Sequence, residues 1–160
     1  KALTYDDDEV VYFVENDYLH KDDSWEVLQQ GIRLGFPYVT LYDHIDKYIP
    51  KHQGGNPFIE SDGGEHSKVY LTKSCHWKIT NSTTMTFAST VKDLQKDEPI
   101  LRKWTKETHP HDFNMFTELR QDHRYVISSI PGYATHGELQ WLAPLTNWKE
   151  VALTKTINLV

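Results

Sequence analysis

Residues 10–14 read Val-Val-Tyr-Phe-Val (VVYFV), five apolar side chains in succession with no polar residue among them. Alternation of polar and apolar positions would mark a strand with one wet face. An unbroken β-branched and aromatic run marks a strand covered on both. Such a sheet needs covering elements, and the flanking sequence supplies candidates. Asp22, Asp23 and Ser24 offer capping oxygens ahead of WEVLQQ at 25–30, Glu26 places negative charge in the first turn, and Gly31 stands as a stop signal. A short helix is predicted there. A second is predicted over residues 40–49, where Leu41, Ile45, Tyr48 and Ile49 share a face and Pro50 closes it.

Farther out, residues 51–66 (KHQGGNPFIESDGGEH) gather glycine pairs, Pro57 and polar side chains, and predict a long loop. Strands are predicted at residues 68–72, 78–80 and 84–89 from their β-branched and aromatic content. Residues 91–107 turn helical in composition, with Pro99 near the expected start. Strands at 124–130, 138–143 and 155–160 complete the pattern. The chain shows no repeat and no linker, so residues 1–160 read as a single α+β domain of short elements.

Composition agrees. A chain of 160 residues can build one domain with a real core and is too short for two ordinary ones. Nine Tyr, six Phe and five Trp argue against disorder. No apolar run approaches the roughly 20 residues that cross a bilayer, so no membrane partner is expected. Residues 1–10 (KALTYDDDEV) are acidic and lack the apolar centre of a secretory leader. The formal charge of −6 is concentrated near the start, and residues 1–9 read as a solvated acidic arm. Without a basic stripe the chain lacks the attraction that dominates binding to phosphate backbones, which excludes nucleic acid as an expected partner.

The lone Cys75 has no internal disulfide partner, and no CxxC or Cys/His array is present. Asn81-Ser82-Thr83 is a glycosylation triplet of low specificity. His109-Pro110-His111-Asp112 is the densest group of potential metal ligands. The proline points the two rings apart and no third ligand has convincing spacing, so it reads as a surface loop, and no metal site is assigned. Ser128 and Ser129 lack the glycines of a nucleophile elbow, and no phosphate-binding glycine string occurs.

Several weak motifs in order carry more information. VYFVEND stands at 11–17, SWEVLQQGI at 24–32, VTLYDHI at 39–45, FAST at 87–90 and GELQWLAPLTNWKEV at 137–151. This layout resembles the mono-ADP-ribosyltransferase toxins of the cholera and pertussis (heat-labile enterotoxin) type, over roughly residues 10–155. The resemblance implies a split β-sheet sandwich with short helices around an NAD-type cleft. Carried over position by position, it places Phe13 where the family has a phosphate-gripping arginine. Ser89 and Thr90 match the family's site-bracing hydroxyls, and Val91 departs from them. Gln140 stands where the family has its last carboxylate, and Glu138 occupies the other polar position of that motif. An amide lacks the negative charge that stabilises an oxocarbenium-like transition state, a loss worth about 10²–10³ in rate.

The resemblance therefore implies a secreted effector with degenerate catalytic motifs, requiring no cofactor and acting by binding a target protein. NAD would bind if the cleft is retained. One alternative is an active NAD-consuming enzyme, a transferase or glycohydrolase, using Glu138 and Gln140. Another is an unrelated α+β domain that binds a host protein.

Overall fold

The computed structural model describes residues 1–157 and has a mixed α+β fold. Six strands form one sheet in the order β1 (Val10–Phe13), β6 (Phe87–Thr90), β3 (Tyr38–Thr40), β7 (Val126–Ile130), β5 (His76–Thr80) and β4 (Val69–Leu71). The β3–β7 pair is parallel and the other neighbours are antiparallel. Because β1 and β3 both oppose β6, the strands β1, β3 and β7 run in one direction. The chain leaves all three at the same edge of the sheet. There β2 (Tyr18–His20) and β8 (Ala134–His136) form a separate antiparallel ladder, which a bridge from Tyr42 to Ala134 ties to the end of β3.

Successive residues of a strand point to opposite faces, and both faces here are covered by helices. Val39, Ala88 and Ile127 pack with Trp77 against Val27 and Leu28 of α1 (Ser24–Ile32). Their neighbours Tyr38, Phe87 and Val126 pack against Leu94 of α2 (Val91–Thr105) and against Met115, Phe116 and Leu119 of α3 (Asp112–Gln121). VVYFV obeys the same rule: Val10 and Tyr12 join the first cluster, Val11 and Phe13 the second. Burying each large apolar side chain contributes about 1.5–3 kcal/mol, so these two clusters hold the helices on the sheet.

Several local expectations change in three dimensions. Gly31 lies inside α1 and does not end it; a Cβ there would meet the Trp77 ring at 2.5 Å, so the glycine lets helix and sheet approach closely. Residues 40–49 do not form a helix. Leu41 and Tyr42 continue β3 into the interior, and only a 3₁₀ turn, Ile45–Tyr48, follows. The apolar spacing there serves a buried extended segment instead. Pro99 sits in the middle of α2, and α3 was not predicted at all. The strand at 84–89 starts later, at Phe87, because Thr84 and Met85 take left-handed backbone conformations. Residues 138–143 form a 3₁₀ turn, Leu139–Trp141, whose neighbouring carbonyls are satisfied by side chains: Tyr42 Oη donates to Trp141 O at 2.6 Å and Trp148 Nε1 to Ala143 O at 2.7 Å. The expected strand at 155–160 begins inside α4 (Trp148–Ile157), and its last three residues lie outside the described residues.

The acidic arm is docked through its backbone. Glu9 O accepts from Val91 N–H and Asp7 O from Lys92 N–H, satisfying donors that a helix start leaves open, while Ala2 and Leu3 pack on the α2/α3 cluster. The side chains of residues 6–8 remain exposed. Among the described residues no helix is long and apolar enough to cross a membrane.

Candidate functional site

The common edge of β1, β3 and β7 collects polar residues from distant parts of the chain. Glu15 and Asp17 follow β1 directly. His136 ends β8, whose register sets it opposite Tyr18 and therefore beside Asp17. One ligand atom from each of Glu15, Asp17 and His136 lies within 4.8 Å of the others. His136 Nε2 is 3.1 Å from Asp17 Oδ2, and its Nδ1 accepts from the Glu138 backbone N–H at 3.2 Å. Gly137 makes this approach possible, since a Cβ at that position would stand 2.7 Å from the Asp17 carbonyl oxygen.

The electrostatics are unbalanced. Burial raises the Glu15 pKa above the usual carboxylate value; the Asp17 and Asp112 charges raise it further, and His136 only partly offsets them. Glu15 and His136 are partly buried and Asp17 is exposed, and excess negative charge in such a cluster is what a bound cation relieves.

A cavity of about 180 Å³ opens beside the cluster, lined by His44, Thr84, His136, Glu138 and Trp141. Three rings line it, those of His44, His136 and Trp141, and Tyr18 and Tyr42 link them from outside the lining. Tyr18 stands edge-on to Tyr42 (5.4 Å between centroids) and to His136 (5.5 Å), Tyr42 contacts His44 (5.0 Å), and His44 tilts against Trp141 (5.3 Å). Thr84 forms part of the wall at φ 47°, costly for a β-branched residue. Asp112 holds it there: its Oδ2 accepts from Thr83 N–H at 2.6 Å and from Thr84 N–H at 2.7 Å.

Behind the cavity, the loop after β3 carries buried charge. Asp43 is fully buried, with Lys78 Nζ at 3.0 Å and Tyr48 Oη donating at 2.7 Å. Lys47 is also buried, donating to Ser82 Oγ at 2.6 Å and lying 3.2 Å from Asp46. His44 Nδ1 faces Asp46 twice, accepting from its backbone N–H at 3.0 Å and standing 2.8 Å from its Oδ1. Burial alone would raise the Asp46 pKa, but His44 and Lys47 outweigh it and hold the carboxyl below its ordinary value.

Of the residues singled out in the sequence, Glu138 lines the cavity and Gln140 stands at its lip, where Gln140 Nε2 donates to Glu138 Oε2 at 3.1 Å. The other three lie elsewhere. Phe13 packs on Phe87 in the α2/α3 cluster. Ser89 Oγ donates to Pro37 O, and Thr90 caps α2 through Asp93 N–H. Ser89 and Thr90 pair with Val11 and Val10, at the end of β1 away from Glu15. The structure does not gather the five into one site. His109 and His111 are exposed, in keeping with a surface loop, whereas their neighbour Asp112 turns inward. Asn81 of the glycosylation triplet is buried and bonded to Asn56, so it is closed to modification in this fold.

The trio Glu15, Asp17 and His136 was not assigned from sequence. Its one local signal is an acid-x-acid step directly after the buried run at 10–14; the histidine comes from far along the chain. No protein-family model, curated protein or solved structure matches the chain.

Proposed function

We propose that this protein is a divalent-cation-dependent transferase acting on a glycosyl donor that carries a diphosphate. The observation that carries this function is the convergence of Glu15, Asp17 and His136 at the edge of the sheet where β1, β3 and β7 end. The two carboxylates suit Mn²⁺ or Mg²⁺, ions that take few protein ligands and complete their shell with water and phosphate oxygens, and the His136 imidazole favours Mn²⁺ of the two. The crowded Glu15 carboxyl fits such an ion. A bound cation would supply Lewis acidity to a departing phosphate.

The remaining tasks fall to the chain itself. The indole face of Trp141 can cover the C–H face of a sugar ring, while Glu138 and Gln140 offer an acceptor and a donor to its hydroxyls. Tyr18 and Tyr42 buttress His136 and His44 through edge-on ring contacts, and Asp112 fixes the Thr84 turn in the cavity wall.

Calorimetric titration with MnCl₂ tests the site. One ion is expected to bind, and Asp17→Ala to weaken it by at least about 10- to 100-fold. Hydrolysis of UDP-glucose, UDP-galactose, UDP-N-acetylglucosamine or GDP-mannose is then expected to require Mn²⁺. Absence of both Mn²⁺ and Mg²⁺ binding at millimolar concentration would overturn the proposal.

The Glu138–Gln140 hydrogen bond at the lip favours one second reading. NAD is itself a diphosphate-linked glycosyl donor, and an ADP-ribosyltransferase-like cleft, in an effector that binds a target protein, would use this pair. Nicotinamide release needs no cation. Turnover of NAD in EDTA that falls in Gln140→Ala would select this reading over the first.

A further inference from the structure

We propose that His44, held by Asp46, is the base that takes the proton from the accepting hydroxyl. The proposal rests on the cation-dependent transferase reading and assigns a residue within the same cleft. Three titratable side chains line the cavity: His44, His136 and Glu138. His136 belongs to the cation cluster. Glu138 is exposed at the lip and bonded to Gln140. His44 alone is fixed on several sides, by the Tyr42 and Trp141 rings and by Asp46 at Nδ1. Its side chain is only 15% exposed, and no described residue hydrogen-bonds its Nε2.

Asp46 gives this ring two options. Its backbone N–H donates to Nδ1, with the neutral ring's proton then on Nε2; a small turn of the ring with the proton moved to Nδ1 aims that proton at Asp46 Oδ1, 2.8 Å away. In the second state Nε2 presents a lone pair to the cleft. The carboxylate is anchored in turn by Lys47 Nζ at 3.2 Å and Asn56 Nδ2 at 3.4 Å, so a fixed negative charge waits behind the ring.

The step balances. The accepting hydroxyl gives its proton to His44 Nε2 as its oxygen bonds to the anomeric carbon of the donor. The bond from that carbon to the phosphate oxygen breaks, and its electron pair leaves on the diphosphate. The resulting imidazolium directs Nδ1–H at Asp46 Oδ1. A positioned base of this kind contributes about 10²–10⁴ in rate.

The test uses Mn²⁺-dependent hydrolysis of the four nucleotide sugars named above, with water as acceptor. His44→Gln is expected to lower kcat by about 10²- to 10⁴-fold, while calorimetric affinities for Mn²⁺ and for UDP stay at the wild-type value. Added imidazole is expected to restore part of the turnover of His44→Ala, and Asp46→Asn to lose less than His44→Gln. Undiminished turnover in His44→Gln, or a loss in Glu138→Gln with none in His44→Gln, would overturn the assignment alone. So would loss of Mn²⁺ or UDP affinity in His44→Gln without imidazole rescue, which marks a binding or structural role. A wild-type chain that hydrolyses none of the four sugars overturns this proposal together with the transferase reading.

Discussion

The two faces of the central sheet are built differently. Under α1 the covering cluster is apolar, from Val27 and Leu28 through Val39 and Ile127 to Trp77. The opposite face is apolar only beneath α2 and α3, around Tyr38, Phe87 and Val126. Toward the carboxyl edge its strands carry buried Thr40, Ser128 and Lys78, and the loop after β3 adds Asp43 and Lys47. Area removed from water stabilises the first face and tolerates substitution among apolar side chains. The polar end of the second face depends on each charge keeping its partner. Adjacent residues of β5 show the contrast: Trp77 fills the α1 side, and Lys78 reaches through the other side to Asp43 and Glu65.

That contrast is sharpest at Lys78. Lys78→Met keeps the bulk of the stem but strands the Asp43 carboxyl in the interior, and is expected to cost about 3–5 kcal/mol in urea unfolding. Adding Asp43→Asn removes the stranded charge and is expected to recover a good part of that loss. If the single and double variants unfold alike, the polar end is not held by paired charge and the contrast fails.

A smaller effect is expected at the turn beside the cavity. Asp112→Asn keeps an acceptor oxygen for Thr83 and Thr84 N–H but removes its charge, and the predicted loss is about 1–3 kcal/mol. The Thr84 turn, strained at φ 47°, should loosen first, seen as faster amide hydrogen exchange at residues 83–86 than in α2.

The smallest effect concerns Glu15, and its sign is informative. A carboxyl with a folded-state pKa above its unfolded value destabilises the fold once ionised, so stability at this position rises as pH falls through the raised value. Glu15→Gln is therefore expected to raise the melting temperature slightly at pH 7 in EDTA. The same variant should lose the stabilisation that Mn²⁺ gives the wild type. A lower melting temperature in EDTA would show Glu15 to be a structural partner rather than a crowded ligand.

Much of the apolar architecture was legible along the chain. The run at 10–14 announced a strand with apolar side chains on two faces, but β1 lies at the edge of the sheet, its side chains are half-buried and Val14 is exposed. The strands beginning near residues 69, 76 and 126 were readable from β-branched and aromatic content. The helix over 24–32 showed its start, although Gly31 proved to be a contact with Trp77 and not a stop. The segment at 40–49 misled because a helical spacing of apolar residues also arises where an extended chain runs through a core. Glu138 lines the cavity with Gln140 bonded to it, whereas Phe13 packs on the α2/α3 cluster and Ser89 and Thr90 bond and cap at the end of β1 away from Glu15.

The sequence by itself determined the α+β class and much of the apolar interior, because apolar burial is written in local patterns with periods of two and 3.6. Only the tertiary structure decided where chemistry gathers. Glu15 and Asp17 meet His136 through the β2–β8 register, and His44 reaches Trp141 across the same edge. Those meetings depend on strand direction and pairing, which link residues far apart in the chain and leave no periodic trace along it.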